Sequence, residues 1–225
     1  MSRARENPSM DVVPTLVGGH LRLEPLSVAH AEGLALASDG DRRTFGWTRV
    51  PEGLEDTIDY VRTALRAAST GMQASFAVIT TSDDRVVGTS RFLNMERWTD
   101  RPSSGSDDGS DAPDTVEIGS TWYAPEAQGT FVNPETKLLM LRHAFEVWNV
   151  QRVQLRTDAR NERSRAAIAR LGASFEGVLR RAHPGSGDEG RHSSTRDTAV
   201  YSIVPDEWPG VEAGLLRRID DLSRI

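Results

Sequence analysis

The sequence predicts an α/β fold, one sheet carrying helices on both of its faces. Two observations predict it. Runs of alternating or continuous apolar residues recur between amphipathic stretches along the 225 residues, the order expected of strands and helices packed in layers. In addition, two strand-like runs pass through polar loops directly into helix-start signals. The first is Trp122-Tyr123-Ala124-Pro125 leading to Asn133-Pro134-Glu135; the second ends at Asn161-Glu162-Arg163-Ser164.

The elements follow in order. Residues 1–14 are polar, contain Pro8 and Pro14, and read as a flexible arm. Residues 15–225 read as a single domain. From Leu16 to Leu26 apolar and polar residues alternate, with Leu21 and Leu23 against Arg22 and Glu24, which predicts a strand. Ser27 caps a helix reaching about Ser38. After a loop containing Phe45-Gly46-Trp47, a second helix spans roughly Leu54 to Ala68, with Leu54, Ile58, Val61 and Leu65 on one face. Strands at about 74–81 and 85–96 are joined by Ser82-Asp83-Asp84. The segment Asp100–Asp114 is rich in Asp, Ser, Gly and Pro, has too little apolar surface to order itself, and reads as a disordered acidic insertion. A strand over 115–123 precedes a helix over 134–149 whose buried side is Leu138, Leu141, Phe145 and Trp148. Then come a strand near 151–157, a helix near 162–171, and strands near 174–183 and 197–204 joined by a long Gly/Ser-rich hairpin connection. A helix over 206–223 closes the chain.

Composition narrows the function classes. The chain has no cysteine, so a disulfide framework, a thiolate metal site and a cysteine nucleophile are excluded, and a reducing cytoplasm suits it. No apolar run approaches membrane-spanning length, and Met1–Pro14 lacks the apolar core of a signal peptide, so no membrane association is expected. A net charge of -6 and the absence of a basic stripe argue against nucleic-acid binding. His20, His30 and His192 show no ligand spacing, and no metal is expected; His143 falls inside a helix and reads as structural.

A strand that runs straight into a helix N-terminus aims unpaired backbone N–H groups at one point, where the helix dipole adds positive potential. Such a turn makes a phosphate site. Two such turns side by side could hold a long nucleotide cofactor between them.

The same residues carry a family resemblance. Glu117-Ile118-Gly119, Trp122-x-x-Pro125, Gln128-Gly129-Thr130, Thr157-Asp158-x-x-Asn161-x-x-Ser164, Leu171-Gly172-Ala173, Glu176 to Arg180 and Arg196-Asp197-Thr198 stand in order over residues 16 to 208. In these the chain resembles a GCN5-related N-acetyltransferase (GNAT) of the RimJ/RimL type. The resemblance implies a central, mostly antiparallel sheet of seven or so strands, splayed between the fourth and fifth. It further implies acetyl-CoA as acetyl donor and a primary amine, on a protein N-terminus or a small molecule, as acceptor; it is compatible with a homodimer. The cofactor contacts it implies are Trp122, Tyr123, Gln128, Gly129, Thr130, Phe131, Val132, Asn133, Asn161 and Ser164. The family's pyrophosphate loop usually reads Gln/Arg-x-x-Gly-x-Gly/Ala, and here Phe131 and Asn133 stand at the two small positions. That departure supports a second reading, a non-catalytic acyl-CoA-binding or protein-interaction module.

Acetyl transfer to an amine needs a proton acceptor, stabilisation of the oxyanion and a proton for the leaving thiolate. Glu117 is a candidate general base, or a carboxylate satisfied by Arg91 or another cation. His183, at the end of its strand, is the second candidate base and titrates nearer neutrality, or is an exposed loop histidine. The resemblance gives Ser164 the role of proton donor to sulfur and Asn161 a hold on the pantetheine arm, while Asn161 also suits a helix N-cap. Trp47 is a candidate wall of the acceptor pocket or a core plug, and Arg91 a contact for an anionic acceptor. The acidic balance of the chain favours a cationic acceptor through its summed field.

Overall fold

The computed structural model describes residues 13–98, 112–185 and 195–224. The arm at 1–12, most of the acidic insertion and the centre of the 183–196 connection lie outside the described residues. One sheet of eight strands runs in the order β1-β2-β3-β4-β5-β6-β8-β7. The strands are β1 Leu16–Val17, β2 Leu21–Pro25, β3 Ala74–Thr80, β4 Val86–Glu96, β5 Thr115–Tyr123, β6 Arg152–Asp158, β7 Ser174–His183 and β8 Arg196–Ile203. Every neighbouring pair is antiparallel except β5 and β6. The helices are α1 Ala31–Ala37, α2 Gly53–Ala68, α3 Val132–Arg142, α4 Glu162–Arg170 and α5 Trp208–Ser223.

The first expected strand is two strands. Leu16 pairs with Leu23 across a turn at Gly18-Gly19, and this glycine pair, which breaks the alternation after Val17, marks the reversal. A buried carboxylate sets this turn. Glu135 on α3 accepts from the backbone N–H of His20 (2.8 Å) and of Leu21 (3.3 Å) and meets the His20 ring at 3.0 Å. A Cβ at position 18 would stand 2.3 Å from Glu135 Oε1, so only glycine lets the hairpin sit on that carboxylate.

Two helices differ from expectation. α2 keeps Ile58, Val61 and Leu65 of the expected face in or against the core but rolls toward Thr57, Tyr60 and Ala64, which are buried, and leaves Leu54 exposed. Tyr60 gains from this by taking a hydrogen bond from Trp122 Nε1 at 3.2 Å, which satisfies both polar tips inside the core. The helix expected over 134–149 begins at Val132 with Phe131 at the N-cap, so Asn133 and Pro134 fall within its first turn rather than at the cap and N1. α3 is buried on nearly every side, Glu135, Thr136 and Lys137 included, because it lies between the sheet and α5, and it ends in a wide π-helical turn at His143–Val147. There the His143 ring packs 4.5 Å from Trp148 and 6.2 Å from Phe92, and burial holds its pKa below the ordinary histidine value.

Of the acidic segment expected over 100–114, residues 112–114 are described. Asp114 is buried, and its carboxylate accepts from the Trp98 N–H at 2.8 Å just before β5 begins. The core lies against the face of β2–β4 that carries Leu21, Leu23, Phe76, Val78 and Phe92, all of them fully buried. Each such side chain contributes about 1.5–3 kcal/mol relative to exposure.

The feature that matters for function is where the sheet opens. β5 and β6 pair only at Thr115–Glu117 with Arg152–Gln154 and then diverge. Beyond that point β5 bulges: the register steps from Arg91↔Gly119 to Thr89↔Trp122, and Ser120 takes a positive φ of 47°.

Candidate active site

A cavity of about 870 Å³ occupies the opening between β5 and β6. Twelve of the fourteen residues singled out from sequence line it: Trp47, Arg91, Glu117, Trp122, Tyr123, Gln128, Gly129, Thr130, Asn133, Asn161, Ser164 and His183. Phe131 and Val132 are not among its walls. The Phe131 ring lies 4.9 Å from the His20 ring, and Val132 is buried in the core.

The β5–α3 turn forms one end. Gln128 ties it together: its amide donates to the Tyr123 carbonyl (2.9 Å) and Thr44 Oγ1 (3.3 Å) and accepts from Arg163 of α4 (2.5 Å). Gly129 has a φ of +79° with open space where a side chain would stand. Thr130 Oγ1 donates to the Ala127 carbonyl (2.7 Å) and accepts from the Val132 N–H (3.3 Å). The backbone N–H groups of Gly129, Thr130 and Phe131 have no hydrogen-bond partner among the described residues. They stand just before a helix N-terminus, which is the arrangement that binds phosphate. Asn133 accepts from the Tyr123 hydroxyl at 3.3 Å.

The β6–α4 turn forms the other side. Asn161 is the N-cap of α4, its Oδ1 accepting from the Ser164 N–H at 3.0 Å. Arg160 pairs with Asp158 at 2.9 Å and lays its guanidinium 4.9 Å from the Trp47 ring, so the tryptophan loop is held against this turn.

On the floor stands a polar cluster that joins the two candidate bases. Glu117 does not pair with Arg91. Its Oε2 accepts from Asn94 Nδ2 (2.7 Å) and from Arg156 Nε (2.8 Å), and it forms an ion pair with Arg156 Nη2. Oε1 has no hydrogen-bond partner among the described residues. It lies 3.1 Å from where a Cβ on Gly119 would be, so the glycine leaves it room. His183 is not an exposed loop residue either. Arg156 Nη1 donates to its Nε2 at 3.1 Å, which leaves the Nδ1–H to donate to Thr198 Oγ1 at 3.0 Å. Burial, with Arg156 and Arg196 beside it, holds the His183 pKa below the ordinary histidine value against the opposing pull of Glu117, so the ring is neutral at pH 7. Arg91 instead lies over the Tyr60 ring at 4.7 Å, with its buried Nε–H unpartnered.

Three contributors were missed from sequence: Asn94, Arg156 and Lys137. Strand period places Arg156 on the same side of β6 as Gln154, the partner of Glu117, and that alternation was the available signal. Charge was read over the whole chain, whereas the site has its own sign. Among the described residues, eight arginines and Lys137 line the cavity against one carboxylate, Glu117. The net charge of -6 therefore does not describe what the site attracts.

The sequence profile of the acetyltransferase (GNAT) domain matches residues 20–174. The chain belongs to the GNAT family. A protein from T. thermophilus, described as a candidate acetyltransferase, shares 30% identity and a TM-score of 0.68, with 91% of this chain and 96% of that one aligned. A GCN5-related N-acetyltransferase from Brucella melitensis has 24% identity and a TM-score of 0.74 over 93% and 86% of the two chains. Mycobacterium smegmatis RimJ, solved with CoA-disulfide, shares the fold at 18% identity and a TM-score of 0.68 over 88% of each chain. No curated protein sequence matches. Among the described residues no helix is long and apolar enough to cross a membrane, and no cluster of three metal-ligating side chains occurs.

Proposed function

We propose that this protein transfers the acetyl group of acetyl-CoA to a primary amine by direct attack in a ternary complex. The observation that carries the reading is the cation-lined cavity in the split sheet, opening at one end on three unpaired amides at a helix N-terminus. Such a lining suits a long polyphosphate-bearing thioester. The Gly129–Phe131 amides with the dipole of α3 would take the pyrophosphate. Asn161 and Ser164 would face the pantetheine arm, whose thioester reaches the bulge in β5.

The acceptor amine would enter between the Trp47 loop and Glu117 and give its proton to Glu117 Oε1, the carboxylate oxygen with no other bond to break. Arg156 holds that carboxylate in place, and neutral His183 holds Arg156, so His183 acts as a positioning residue in this scheme. Ser164 would return a proton to the departing thiolate. A second reading, with His183 Nε2 as acceptor, requires Arg156 to let go of it. The non-catalytic alternative loses its main support because the Phe131 ring lies against His20 rather than in the cavity.

The test is a panel of primary amines, peptides with free N-termini included, followed by thiol release from acetyl-CoA. Turnover should appear for at least one amine and fall about 100- to 10,000-fold in Glu117→Gln, the span expected for losing a general base. Turnover unchanged in that variant would move the base role to His183. Acetyl-CoA binding with no turnover across the panel would favour the non-catalytic module.

A further inference from the structure

Of the 27 lysine and arginine residues in the chain, one is a lysine, Lys137. It stands in the second turn of α3, and its ammonium end is buried in the wall of the split-sheet cavity. Nζ lies 2.8 Å from Thr121 Oγ1 and 3.2 Å from Ser90 Oγ, and those two hydroxyls are 2.7 Å from each other. Thr121 belongs to the half of β5 that β6 leaves unpaired, and it lines the same cavity as Lys137, the one through which the thioester would pass. No carboxylate among the described residues lies within ion-pair distance of it. An arginine here would remain a cation at any physiological pH, whereas a lysine can give up its proton and become a nucleophile.

We propose that Lys137 is a self-acetylation site, taking its acetyl group from acetyl-CoA bound in the same cavity. The proposal rests on the acetyl-CoA reading above. The Nζ lone pair attacks the thioester carbonyl carbon, the C–S bond breaks, and the proton released from Nζ ends on the departing thiolate. The products are an acetyl-lysine amide and CoA thiol, with nothing oxidised or reduced. Burial alone, with no neighbouring charge contributing, brings the Lys137 pKa down to about 7. Near neutral pH a free lone pair is therefore far more accessible on Lys137 than on an ordinary lysine, which is almost wholly protonated there. Acetylation would leave one N–H where three donors stood, loosen the clamp on Ser90 and Thr121, and place an acetyl group in the cavity.

The structure also makes the test clean, because no other side-chain amine exists in the chain. The folded protein is incubated with acetyl-CoA and no acceptor at pH 7, and intact mass with peptide mapping locates any added acetyl group. The N-terminal α-amine is the remaining amine, and mapping separates the two. Lys137 should be acetylated at least about 100-fold faster in the folded protein than in concentrated urea, where its amine regains an ordinary pKa. Lys137→Arg should take no acetyl group at that position. If calorimetry shows acetyl-CoA bound while Lys137 stays unmodified, or reacts no faster folded than unfolded, the proposal is overturned and the acetyltransferase reading stands. A folded protein that does not bind acetyl-CoA overturns both.

Discussion

The two strand-to-helix turns that face each other across the cavity treat their backbone donors in opposite ways. At β5–α3 the amides of Gly129, Thr130 and Phe131 are left without partners, and Gly129 keeps the approach clear. At β6–α4 the turn satisfies itself: Asn161 caps α4 through Ser164, and Asp158 holds Arg160 by its backbone and its guanidinium. On the proposed reading the first turn receives an anion with main chain. The second offers side chains on a preset frame. The difference teaches that a helix N-terminus becomes a ligand site when its own sequence declines to cap it.

Variants and truncated ligands can break or sharpen this contrast. The largest effect is expected from removing the anion. Acetyl-pantetheine, which lacks the pyrophosphate and adenosine of acetyl-CoA, should bind at least about 1,000-fold more weakly, since the charge-assisted bonds at the first turn would be lost. Equal affinity of the two thioesters in calorimetry would mean that the β5–α3 turn holds no phosphate.

Next comes the buried cation between the two turns. Lys137→Met removes an amine whose folded pKa is about 7, well below its unfolded value. In the wild type the free amine is favoured in the folded state, so this group's contribution to stability is full above the unfolded pKa near 10.5 and is lost as pH falls towards 7. The Met variant carries no such term. Its stability relative to wild type should therefore rise by several kcal/mol between about pH 10 and pH 7 and level off below. Denaturant melts of both proteins at several pH values measure this, and a pH-independent difference would place Nζ in water.

The second turn should show a smaller effect on folding. Asn161→Ala removes the α4 cap and is expected to cost about 1 kcal/mol, seen as a lower denaturation midpoint. An unchanged midpoint would mean that Asn161 serves a ligand alone.

The smallest effect tests the departure from the family's loop. Phe131→Gly should alter acetyl-CoA affinity by no more than about threefold, because the ring points at His20 and its backbone amide remains. The variant should lose about 1 kcal/mol of stability with the ring contact. A large gain in affinity would show instead that the ring obstructs the loop.

Much of the fold was legible because its elements bury one face with a clear period. Strands β3 to β8 and helices α4 and α5 fall within a few residues of where the pattern placed them. The β1–β2 reversal was marked only by the Gly18-Gly19 pair, and the carboxylate that fixes it, Glu135, is remote in sequence. On α2 the apolar stripe found Ile58, Val61 and Leu65 but not Tyr60, whose hydrogen bond with Trp122 comes from a residue remote in sequence. The site was legible where a motif is local, as at Gln128–Asn133 and Asn161–Ser164. Arg156 and Lys137 escaped because their partners come from other strands: Glu117 on β5, and Ser90 and Thr121 on β4 and β5. Pairing across a sheet depends on register, and a single sequence shows residue types without register.

The most direct measurement is a calorimetric titration of the folded protein with acetyl-CoA, run beside CoA and the Asn161→Ala variant. Micromolar binding that competes with CoA and weakens in the variant is expected if the cofactor lies in the split between β5 and β6. A folded wild-type protein that gives no binding heat, with no protection against thermal unfolding by acetyl-CoA, would contradict it.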